Sequence, residues 1–283
     1  MLKPAYIDPY VKSALREDVG SKDLTTSALI SKNMAAKADI EFKEKAILCG
    51  MDVIERVFRL IDENLRFLPV AKDGEVIEKG REIAYLEGSA ASILTAERTA
   101  LNFLSRLSGV ATLTREFVEK IKGTPAKIFD TRKTTPNLRI LEKYAVHIGG
   151  AENHRFGLYD QVLIKDNHLK TLRKEALMDI VFKARKGVLR RTILGVEVKN
   201  MIELSEALKS KPDYILLDNM SVAEVKEAVD LRKKYGSKVQ LEVSGGIRLE
   251  NVLDYARTGV ERISVGQLTH GAPSVDVSLD IVG

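Results

Sequence analysis

The sequence predicts an α/β protein with two regions that follow different patterns. From residue 36 to residue 43, apolar and polar residues alternate with a period of two, which indicates a half-exposed strand of an antiparallel sheet. After residue 123, short apolar runs alternate with helical patterns, which is typical of a parallel sheet with crossover helices. Together these patterns predict an N-terminal α/β sandwich followed by an open, incomplete TIM-like α/β barrel.

The N-terminal region is expected to combine this sheet with helices that cover one of its faces. Its predicted elements are a helix at 6–15 that stops at Gly20, a polar loop at 21–26, a strand at 36–42, a helix at 53–61 and strands at 65–70 and 83–86. Segment 73–88 resembles the hammerhead of biotinyl or lipoyl carriers. It has no lysine in the modified hairpin context, so it indicates shared sheet architecture and not an attachment site.

A pair of helices is expected to join the two regions. Apolar residues line one side of a helix over 93–107, Gly109 is predicted to end it, and a second helix follows until Gly123. The predicted division is an N-terminal domain at 1–109, a catalytic barrel at 110–270 and a C-terminal segment at 271–283. The alternation in this last segment predicts a strand that returns to the first domain.

The barrel region is predicted to contain six strands, fewer than a closed barrel requires. The apolar runs end at Asp130, Lys165, Glu197, Asp218, Ser244 and Gly266. Asn200 and Ser221 precede helical patterns and are predicted to be N-caps. An open or incomplete barrel is therefore expected.

Composition and charge exclude several classes of protein. The chain has 45 Lys and Arg against 40 Asp and Glu, a formal net charge of +5 over 283 residues. Its basic runs fall at the ends of helical patterns, so no nucleic-acid partner is expected. The single cysteine, Cys49, has apolar neighbours and is predicted to be a buried thiol in a reducing compartment. No apolar stretch is long enough to cross a membrane, so a soluble, cytoplasmic protein is expected.

Basic side chains concentrate in segment 130–168, near the ends of two predicted strands. They are Arg132, Lys133, His154, Arg155, Lys165 and His168. Strand ends form the active site of an α/β barrel, and clustered cations need anions to neutralise them. We therefore expect a pocket for multiply charged anions. His154 lies among glycines and is expected on an accessible loop, where a functional role and the capping of a turn both stay open.

The remaining strand ends carry carboxylates and glycine loops. Glu197 lies between two valines and needs a cation, a metal or ligand hydroxyls as its partner, and Asp218 ends the next strand. The last two strands are followed by Ser244, Gly245 and Gly246, and by Val265, Gly266 and Gln267, where barrels bind phosphate. These features predict a phosphorylated sugar, and the cations predict a second acidic group.

Several motifs match those of one known family. In order, they are EDVGSKDLTT, ERTALNFLSRLSGVAT, DTRKTTP, GGAENHRFGLYDQVLIKDNH, GVEV, ILLDNM, VSGGI and SVGQLTH. Over nearly the whole chain they resemble quinolinate phosphoribosyltransferase, also called carboxylating nicotinate-nucleotide pyrophosphorylase. The resemblance implies a glycosyltransferase of NAD biosynthesis. Such an enzyme joins quinolinate to 5-phosphoribosyl 1-pyrophosphate with Mg²⁺, giving nicotinate mononucleotide, pyrophosphate and CO₂.

The resemblance also implies roles for individual residues. The quinolinate pocket would be lined by Thr131, Arg132, Lys133, His154, Arg155 and Lys165, and by Arg98 from the second subunit of a homodimer or higher oligomer. Glu197 and Asp218 would bind the ribose hydroxyls and Mg²⁺, and the 5-phosphate would be held by Ser244, Gly245, Gly246, Val265, Gly266 and Gln267. Catalytic roles would fall to Lys133, His154, Lys165, Glu197 and Asp218. Lys165 or His154 would protonate C2 of the ring.

Other functions stay open on the residues alone. A related phosphoribosyltransferase could use a different aromatic acid, and a barrel aldolase could use Lys165 as a Schiff-base amine. A non-catalytic sensor would bind the phosphosugar and release no pyrophosphate.

Overall fold

The structure, a computed structural model, describes residues 3–31, 33–172 and 175–282, and these form two compact units. The first unit contains three segments: the described residues up to Arg115, residues Thr134–Gly150, and the described residues from Gly271 onward. The second consists of Glu116–Lys133 and of the described residues of Ala151–His270. This division differs from the predicted one at two places. Residues 110–115 and 134–150 lie with the first unit, although they were predicted to belong to the barrel.

The described residues form helices and strands in the following order along the chain. The first elements are α1 (Pro4–Val19), α2 (Leu24–Leu29), β1 (Ala35–Phe42), β2 (Ala46–Ile47), α3 (Met51–Ile61), β3 (Arg66–Pro69), β4 (Val76–Ile77), β5 (Glu82–Ser89) and α4 (Ala90–Lys120). They are followed by β6 (Lys127–Phe129), α5 (Arg139–Gly149), β7 (Val162–Ile164), α6 (Asp166–Thr171), α7 (Leu177–Lys186), β8 (Leu194–Val198), α8 (Met201–Ser210) and β9 (Tyr214–Asp218). The last are α9 (Val222–Lys234), β10 (Gln240–Ser244), α10 (Val252–Ala256), β11 (Arg262–Ser264), α11 (Gln267–His270) and β12 (Val277–Val282). Among the helices of the described residues, none has the length and apolar character needed to cross a membrane.

The first unit is built on an antiparallel sheet with the strand order β12-β1-β5-β3. The predicted alternation is confirmed in β1, where Ala38, Ile40 and Phe42 are buried and the residues between them are partly exposed. Phe58 of α3 stacks on Phe67 of β3 with ring centroids 6.1 Å apart, so α3 covers the buried face. β12 pairs with β1, which is the returning strand that the C-terminal alternation predicts.

Two predictions for the first unit are wrong. Residues 21–26 are predicted as a loop, but α2 begins at Leu24 because the Asp23 carboxylate accepts a hydrogen bond from the Thr26 amide at 2.9 Å. Gly109 is predicted to end a helix, yet α4 continues through it. A Cβ at this position would lie 1.9 Å from the backbone oxygen of Pro273, so glycine permits the close approach of the C-terminal segment.

The contact of α5 with α4 explains why 134–150 lies with the first unit. The Arg115 Nε atom donates a hydrogen bond to the backbone oxygen of Gly149 at 2.9 Å. A Cβ on Gly149 would lie 2.5 Å from the Cβ of Thr114, so the two helices are close together at this point. In the same unit Cys49 is buried as predicted, and burial raises the pKa of its thiol.

The second unit is built on a parallel sheet with the strand order β6-β11-β10-β9-β8-β7. These are the six strands that the apolar runs predict, and the incomplete barrel is confirmed. Both predicted N-caps are also confirmed. The Asn200 side chain accepts from the Glu203 amide at 2.9 Å, and the Ser221 hydroxyl accepts from the Glu224 amide at 3.3 Å.

Candidate active site

A cleft at the carboxyl ends of the parallel strands collects side chains from alternate strand positions. In the sheet register Glu197 lies opposite Leu216, and Leu216 lies opposite Glu242. Two residues further along, Asp218 lies opposite Ser244. Because side chains alternate between the two faces of a strand, Asp218 and Ser244 point to the same face of the sheet as Glu197, Leu216 and Glu242. They line a cleft of about 470 Å³, a size common for small-molecule sites.

Most of the predicted site residues meet in this cleft, although they come from distant parts of the chain. Those that line it are Thr131, Arg132, Lys133, His154, Arg155, Lys165, Glu197, Asp218, Ser244, Gly245 and Gly246. The prediction missed Leu163, Leu216, Asn219, Glu242 and Ser264, which also line it. Alternation was the signal for four of these, since Leu163, Leu216, Glu242 and Ser264 each lie two residues before a predicted site residue.

Two guanidinium groups with like charge lie in the cleft. Arg155 is 7% exposed, and its side chain donates to the backbone oxygen of Gln161 at 3.3 Å. Burial, and then the charge of Arg132, lower the pKa of Arg155 from its usual value. Repulsion between desolvated cations is relieved when an anion binds between them. The pair therefore favours a ligand with negative charge, as the cationic cluster predicts.

The buried Glu197 carboxylate has the cationic partner that the sequence requires. Glu197 is 5% exposed, and its Oε2 atom accepts from Lys165 Nζ at 2.8 Å. Lys165 follows β7 and Glu197 lies in the neighbouring strand β8, so the pair spans two strands at the cleft. The Lys165 side chain is 47% exposed, so only the carboxylate partner of this ion pair is buried.

His154 is buried and not accessible, which corrects the prediction. It is 7% exposed. Its amide donates to the Asp130 carboxylate at 2.7 Å, and its Nδ1 atom accepts from the Arg155 amide at 2.8 Å. Its Nε2 atom lies 3.3 Å from Glu242 Oε1 and 3.3 Å from the Tyr214 hydroxyl. The glycines around His154 predicted an open loop, but long-range hydrogen bonds hold the ring against the sheet.

Glu242 lies at the floor of the cleft and is 0% exposed. It accepts from Arg262 Nε at 2.7 Å and from the Ser264 hydroxyl at 2.6 Å. Burial by itself would raise the pKa of Glu242. The contacts with His154, then the charge of Arg262 and the hydrogen bond from Ser264, outweigh burial and lower that pKa. Glu242 is therefore a carboxylate with its donors in place.

The loop after β10 is a candidate phosphate cradle. Gly245 and Gly246 have φ values of +99° and +65°, in the left-handed region that favours glycine. A Cβ on Gly245 would lie 2.1 Å from the Asn219 Oδ1 atom. The backbone N–H group of Asn219 donates to the backbone oxygen of Ser244 at 2.8 Å, which links this loop to the end of β9. Backbone amides in such a turn can face an anion.

Other predicted site residues lie outside the lining of the cleft. Arg98 is in α4 of the first unit, with its side chain 64% exposed and 3.9 Å from Glu97. Val265 is 1% exposed, so its side chain belongs to the core. A Cβ on Gly266 would lie 3.2 Å from the Cδ atom of Lys133, and Gln267 begins α11.

The histidine at the end of the cationic segment caps a helix. The His168 Nδ1 atom accepts from the Lys165 amide at 2.9 Å, at the start of α6. Its ring therefore orients the backbone of Lys165.

Glu197 and Asp218 are the candidate metal ligands. Within the described residues no group of three or more His, Cys, Asp or Glu side chains is arranged to hold a metal ion. Mg²⁺ in enzymes that use phosphate substrates is often bound by one or two carboxylates, with water and substrate oxygens as its other ligands. Two carboxylates on neighbouring strands fit Mg²⁺ that binds together with a phosphorylated substrate.

Comparison with protein families identifies both regions of the chain. Residues 23–108 match the quinolinate phosphoribosyl transferase N-terminal domain, and residues 110–280 match the C-terminal domain. The chain belongs to the quinolinate phosphoribosyltransferase family. The resemblance carried by the sequence motifs is therefore confirmed.

Individual members of the family are similar over their full length. A protein of Methanocaldococcus jannaschii named "Probable nicotinate-nucleotide pyrophosphorylase [carboxylating]" is 43% identical over 100% of this chain and 99% of its own. The nicotinate-nucleotide pyrophosphorylase [carboxylating] of Mycobacterium leprae is 38% identical over 96% of this chain and 95% of its own. The solved structure of the nicotinate-nucleotide pyrophosphorylase from Francisella tularensis has a TM-score of 0.93 at 36% identity and covers 100% of this chain and 98% of that chain. The family fold thus extends over the whole chain.

Proposed function

We propose that this chain transfers the phosphoribosyl group of 5-phosphoribosyl 1-pyrophosphate to quinolinate with decarboxylation, a glycosyltransferase step of NAD biosynthesis. The products are nicotinate mononucleotide, pyrophosphate and CO₂. The names of its relatives support this assignment, among them the quinolinate phosphoribosyltransferase [decarboxylating] 2a of Nicotiana tabacum, which is 38% identical. The observation that carries it is the desolvated guanidinium of Arg155 beside the charge of Arg132, in a cleft with carboxylates and a glycine loop.

The proposed quinolinate site uses the two guanidinium groups for the two ring carboxylates. Guanidinium groups pair with planar carboxylates through two parallel hydrogen bonds, so Arg132 and Arg155 suit a dicarboxylate. Thr131, Lys133 and His154 complete the polar rim, and Leu163 and Leu216 offer an apolar surface to the ring. A dianion would remove the repulsion that lowers the pKa of Arg155.

The proposed phosphoribosyl site lies at the carboxylates and the glycine loop. Glu197 and Asp218 would bind the ribose hydroxyls and hold Mg²⁺, which when bound supplies positive charge to the departing pyrophosphate. The backbone amides of Ser244, Gly245 and Gly246 would hold the 5-phosphate. The loop of Val265, Gly266 and Gln267, close to Lys133, is proposed to extend this cradle.

The reaction needs no activated side-chain nucleophile. The pyridine nitrogen of quinolinate attacks C1 of the ribose while the bond from C1 to pyrophosphate breaks, and Glu197 and Asp218 stabilise the positive charge that develops on the ribose. The bond from C2 of the ring to its carboxylate then breaks and CO₂ leaves. The electron pair left at C2, stabilised by the adjacent pyridinium nitrogen, takes a proton. We propose Lys165 as the proton donor, because the His154 Nδ1 atom accepts a hydrogen bond and its Nε2 atom faces Glu242.

Arg98 is proposed to complete the quinolinate site of a second copy of this chain, so that the active unit is a homodimer. The test mixes Arg98→Ala subunits with Lys165→Ala subunits, each inactive by itself. Each mixed dimer would contain one site with both defects and one site with neither, so activity should return to about a quarter of the wild-type value in an equal mixture. Mixtures that exchange subunits and stay inactive would indicate self-contained subunits.

Release of pyrophosphate and CO₂ from quinolinate and 5-phosphoribosyl 1-pyrophosphate tests the proposed function. The wild-type protein should release the two in equal amounts. Pyrophosphate release with a different aromatic acid and none with quinolinate would indicate a related phosphoribosyltransferase. Binding of the phosphosugar without pyrophosphate release would indicate a sensor, and borohydride trapping of a carbonyl compound on Lys165 would indicate an aldolase. We also propose a cytoplasmic location, which the buried free thiol of Cys49 supports.

A further inference from the structure

Glu242 is a buried carboxylate that has no role in the proposed reaction. Its Oε2 atom accepts from Arg262 Nε at 2.7 Å, and its Oε1 atom accepts from the Ser264 hydroxyl at 2.6 Å. Arg262 is 15% exposed and lies over the rings of Phe129 and Tyr214, with its guanidinium carbon 3.9 Å and 4.7 Å from their centroids. Arg262 therefore provides a cationic partner for Glu242 in addition to the contact with His154.

The hydrogen bonds of His154 determine which ring nitrogen carries the proton. Nδ1 accepts from the Arg155 amide at 2.8 Å and so has no hydrogen of its own. The proton of the neutral ring is then on Nε2, which lies 3.3 Å from Glu242 Oε1. An imidazolium would carry a second hydrogen on Nδ1, directed at the Arg155 amide hydrogen. The geometry therefore favours the neutral Nε2–H tautomer.

We propose that Glu242 is a positioning residue: it holds the Nε2–H tautomer of His154 and, through that ring, the backbone of Arg155 in the place where its guanidinium meets a substrate carboxylate. This inference rests on the proposed function. The segment is held at three points, because the His154 amide also donates to Asp130 at 2.7 Å and the Arg155 side chain donates to the Gln161 backbone at 3.3 Å.

Such an anchor is needed because the Arg155 side chain has an unfavourable environment before substrate binds. Its charge is desolvated and lies beside the charge of Arg132, so the guanidinium gains free energy by moving into water. A backbone hydrogen bond to a ring that is itself held by Glu242 opposes this movement. A preformed position lowers the entropy cost of binding the substrate.

Glu242→Gln is the variant that tests the proposal with the smallest change of shape. An amide has one acceptor oxygen, and the Arg262 cation competes for it with His154. If the oxygen turns to Arg262, the amide NH₂ group faces His154 Nε2 and disfavours the Nε2–H tautomer. The affinity for quinolinate should then fall about tenfold or more, with a much smaller change for 5-phosphoribosyl 1-pyrophosphate.

Glu142→Gln is the matched control. Glu142 is also 0% exposed, and its Oε1 atom accepts from Arg106 NH2 at 2.7 Å and from the Thr135 hydroxyl at 2.8 Å. It has a cation and a hydroxyl donor as Glu242 has, but it lies in the first unit and lines no part of the cleft. Both variants should lower the melting temperature, and Glu142→Gln should leave quinolinate affinity within about twofold of wild type.

The ring nitrogen of His154 that carries the proton can be identified from the ¹⁵N NMR spectrum of the intact protein. The chain has four histidines. The proposal expects the His154 proton on Nε2 in the wild type and a changed ring spectrum in Glu242→Gln. A wild-type ring protonated on Nδ1 would overturn it, even if the variant fails to fold. Equal effects of both Glu→Gln variants on quinolinate affinity would also overturn it. A wild-type protein that releases no pyrophosphate would instead contradict the proposed function, and the ring spectra would still report on the contact with Glu242.

Discussion

The two larger sheets of the described residues differ in how far the charged side chains of their strands are buried. In the antiparallel sheet, charges point to solvent, as in the pair Arg66–Glu87, whose side chains are 65% and 41% exposed. In the parallel sheet, Glu197 and Glu242 lie inside strands and are 5% and 0% exposed. Burying a charge costs several kcal/mol unless it is paired and hydrogen-bonded. The buried carboxylates within the strands of the parallel sheet therefore mark the functional site, and the exposed pair on the antiparallel sheet marks a solvated face.

The direction of the strands explains this difference. Parallel strands bring all their carboxyl ends to one edge of the sheet, so residues from distant segments can build one cleft. The antiparallel sheet has one face against α3, and its other side chains meet water. If the contrast is correct, substitutions in the cleft should affect activity most, and substitutions in the first unit, apart from Arg98, should affect stability.

The largest effect is expected for Arg155→Ala. Loss of this desolvated cation should weaken quinolinate binding by about 30-fold to 1000-fold, which corresponds to about 2–4 kcal/mol. The protein should stay folded, because the substitution removes the repulsion from Arg132 together with the hydrogen bond to Gln161. Titration calorimetry and thermal unfolding measure the two quantities. Arg66→Ala is the control on the antiparallel sheet, where binding should not change. Unchanged quinolinate affinity in Arg155→Ala would contradict the assignment of the cleft.

Glu197→Gln should mainly reduce turnover. The amide keeps the shape but loses the charge that faces Lys165 and stabilises the ribose cation, so kcat should fall by about 10²-fold to 10³-fold. The assay uses saturating concentrations of both substrates. A normal kcat removes Glu197 from the mechanism and leaves its buried charge with a structural role.

Gly109→Ala tests the first unit, where the expected effect is on stability. The new Cβ would lie 1.9 Å from the Pro273 backbone oxygen, so the C-terminal segment must shift, at a cost of about 1–3 kcal/mol. Denaturant unfolding measures this cost, and Glu116→Ala on the exposed side of α4 is the control. If Gly109→Ala is neutral or stabilising, then Gly109 is not required for the close approach.

The smallest effect concerns the ion pair between α1 and α3. Arg56 donates to Asp8 at 2.6 Å and 2.8 Å, and this hydrogen bonding lowers the pKa of Asp8. The stabilisation is therefore present above the unfolded-state pKa of about 3.9 and is lost as the pH falls through the lower folded-state value. Asp8→Asn should reduce stability at neutral pH by less than about 1 kcal/mol and flatten its dependence on pH below about 4. Denaturant midpoints measured at a series of pH values test this, and an unchanged pH dependence would refute it.

Local patterns predicted much of the fold, and their failures have identifiable causes. The alternation around Ile40 and the apolar runs before Asp130 and Lys165 describe single strands, so they can be read from neighbouring residues. The prediction for Gly109 was wrong because glycine is needed there for the close approach of Pro273, which is more than one hundred residues away in the chain. Residues 21–26 were wrongly predicted to be a loop because they are polar. Asp23 is the N-cap of α2, and polar composition alone does not indicate that role.

The candidate site shows the same limit. Cations and carboxylates at strand ends could be recognised because each follows an apolar run. Alternation could place Glu242 on the same strand face as Ser244, but its contacts could not be predicted, because its partners Arg262, Ser264 and His154 belong to other segments. The burial of His154 likewise depends on Asp130 and Glu242, which are far from it in the chain.

The sequence by itself determined the fold class, the six strands of the parallel sheet and the types of side chain at their ends, because periodicity and turn residues act over a few neighbours. The family motifs added the expected chemistry. The tertiary structure decided which side chains face one another, which of them lose water, and which groups meet the two ring nitrogens of His154. Those properties depend on strand register and on distances between segments far apart in the chain, which no local pattern encodes.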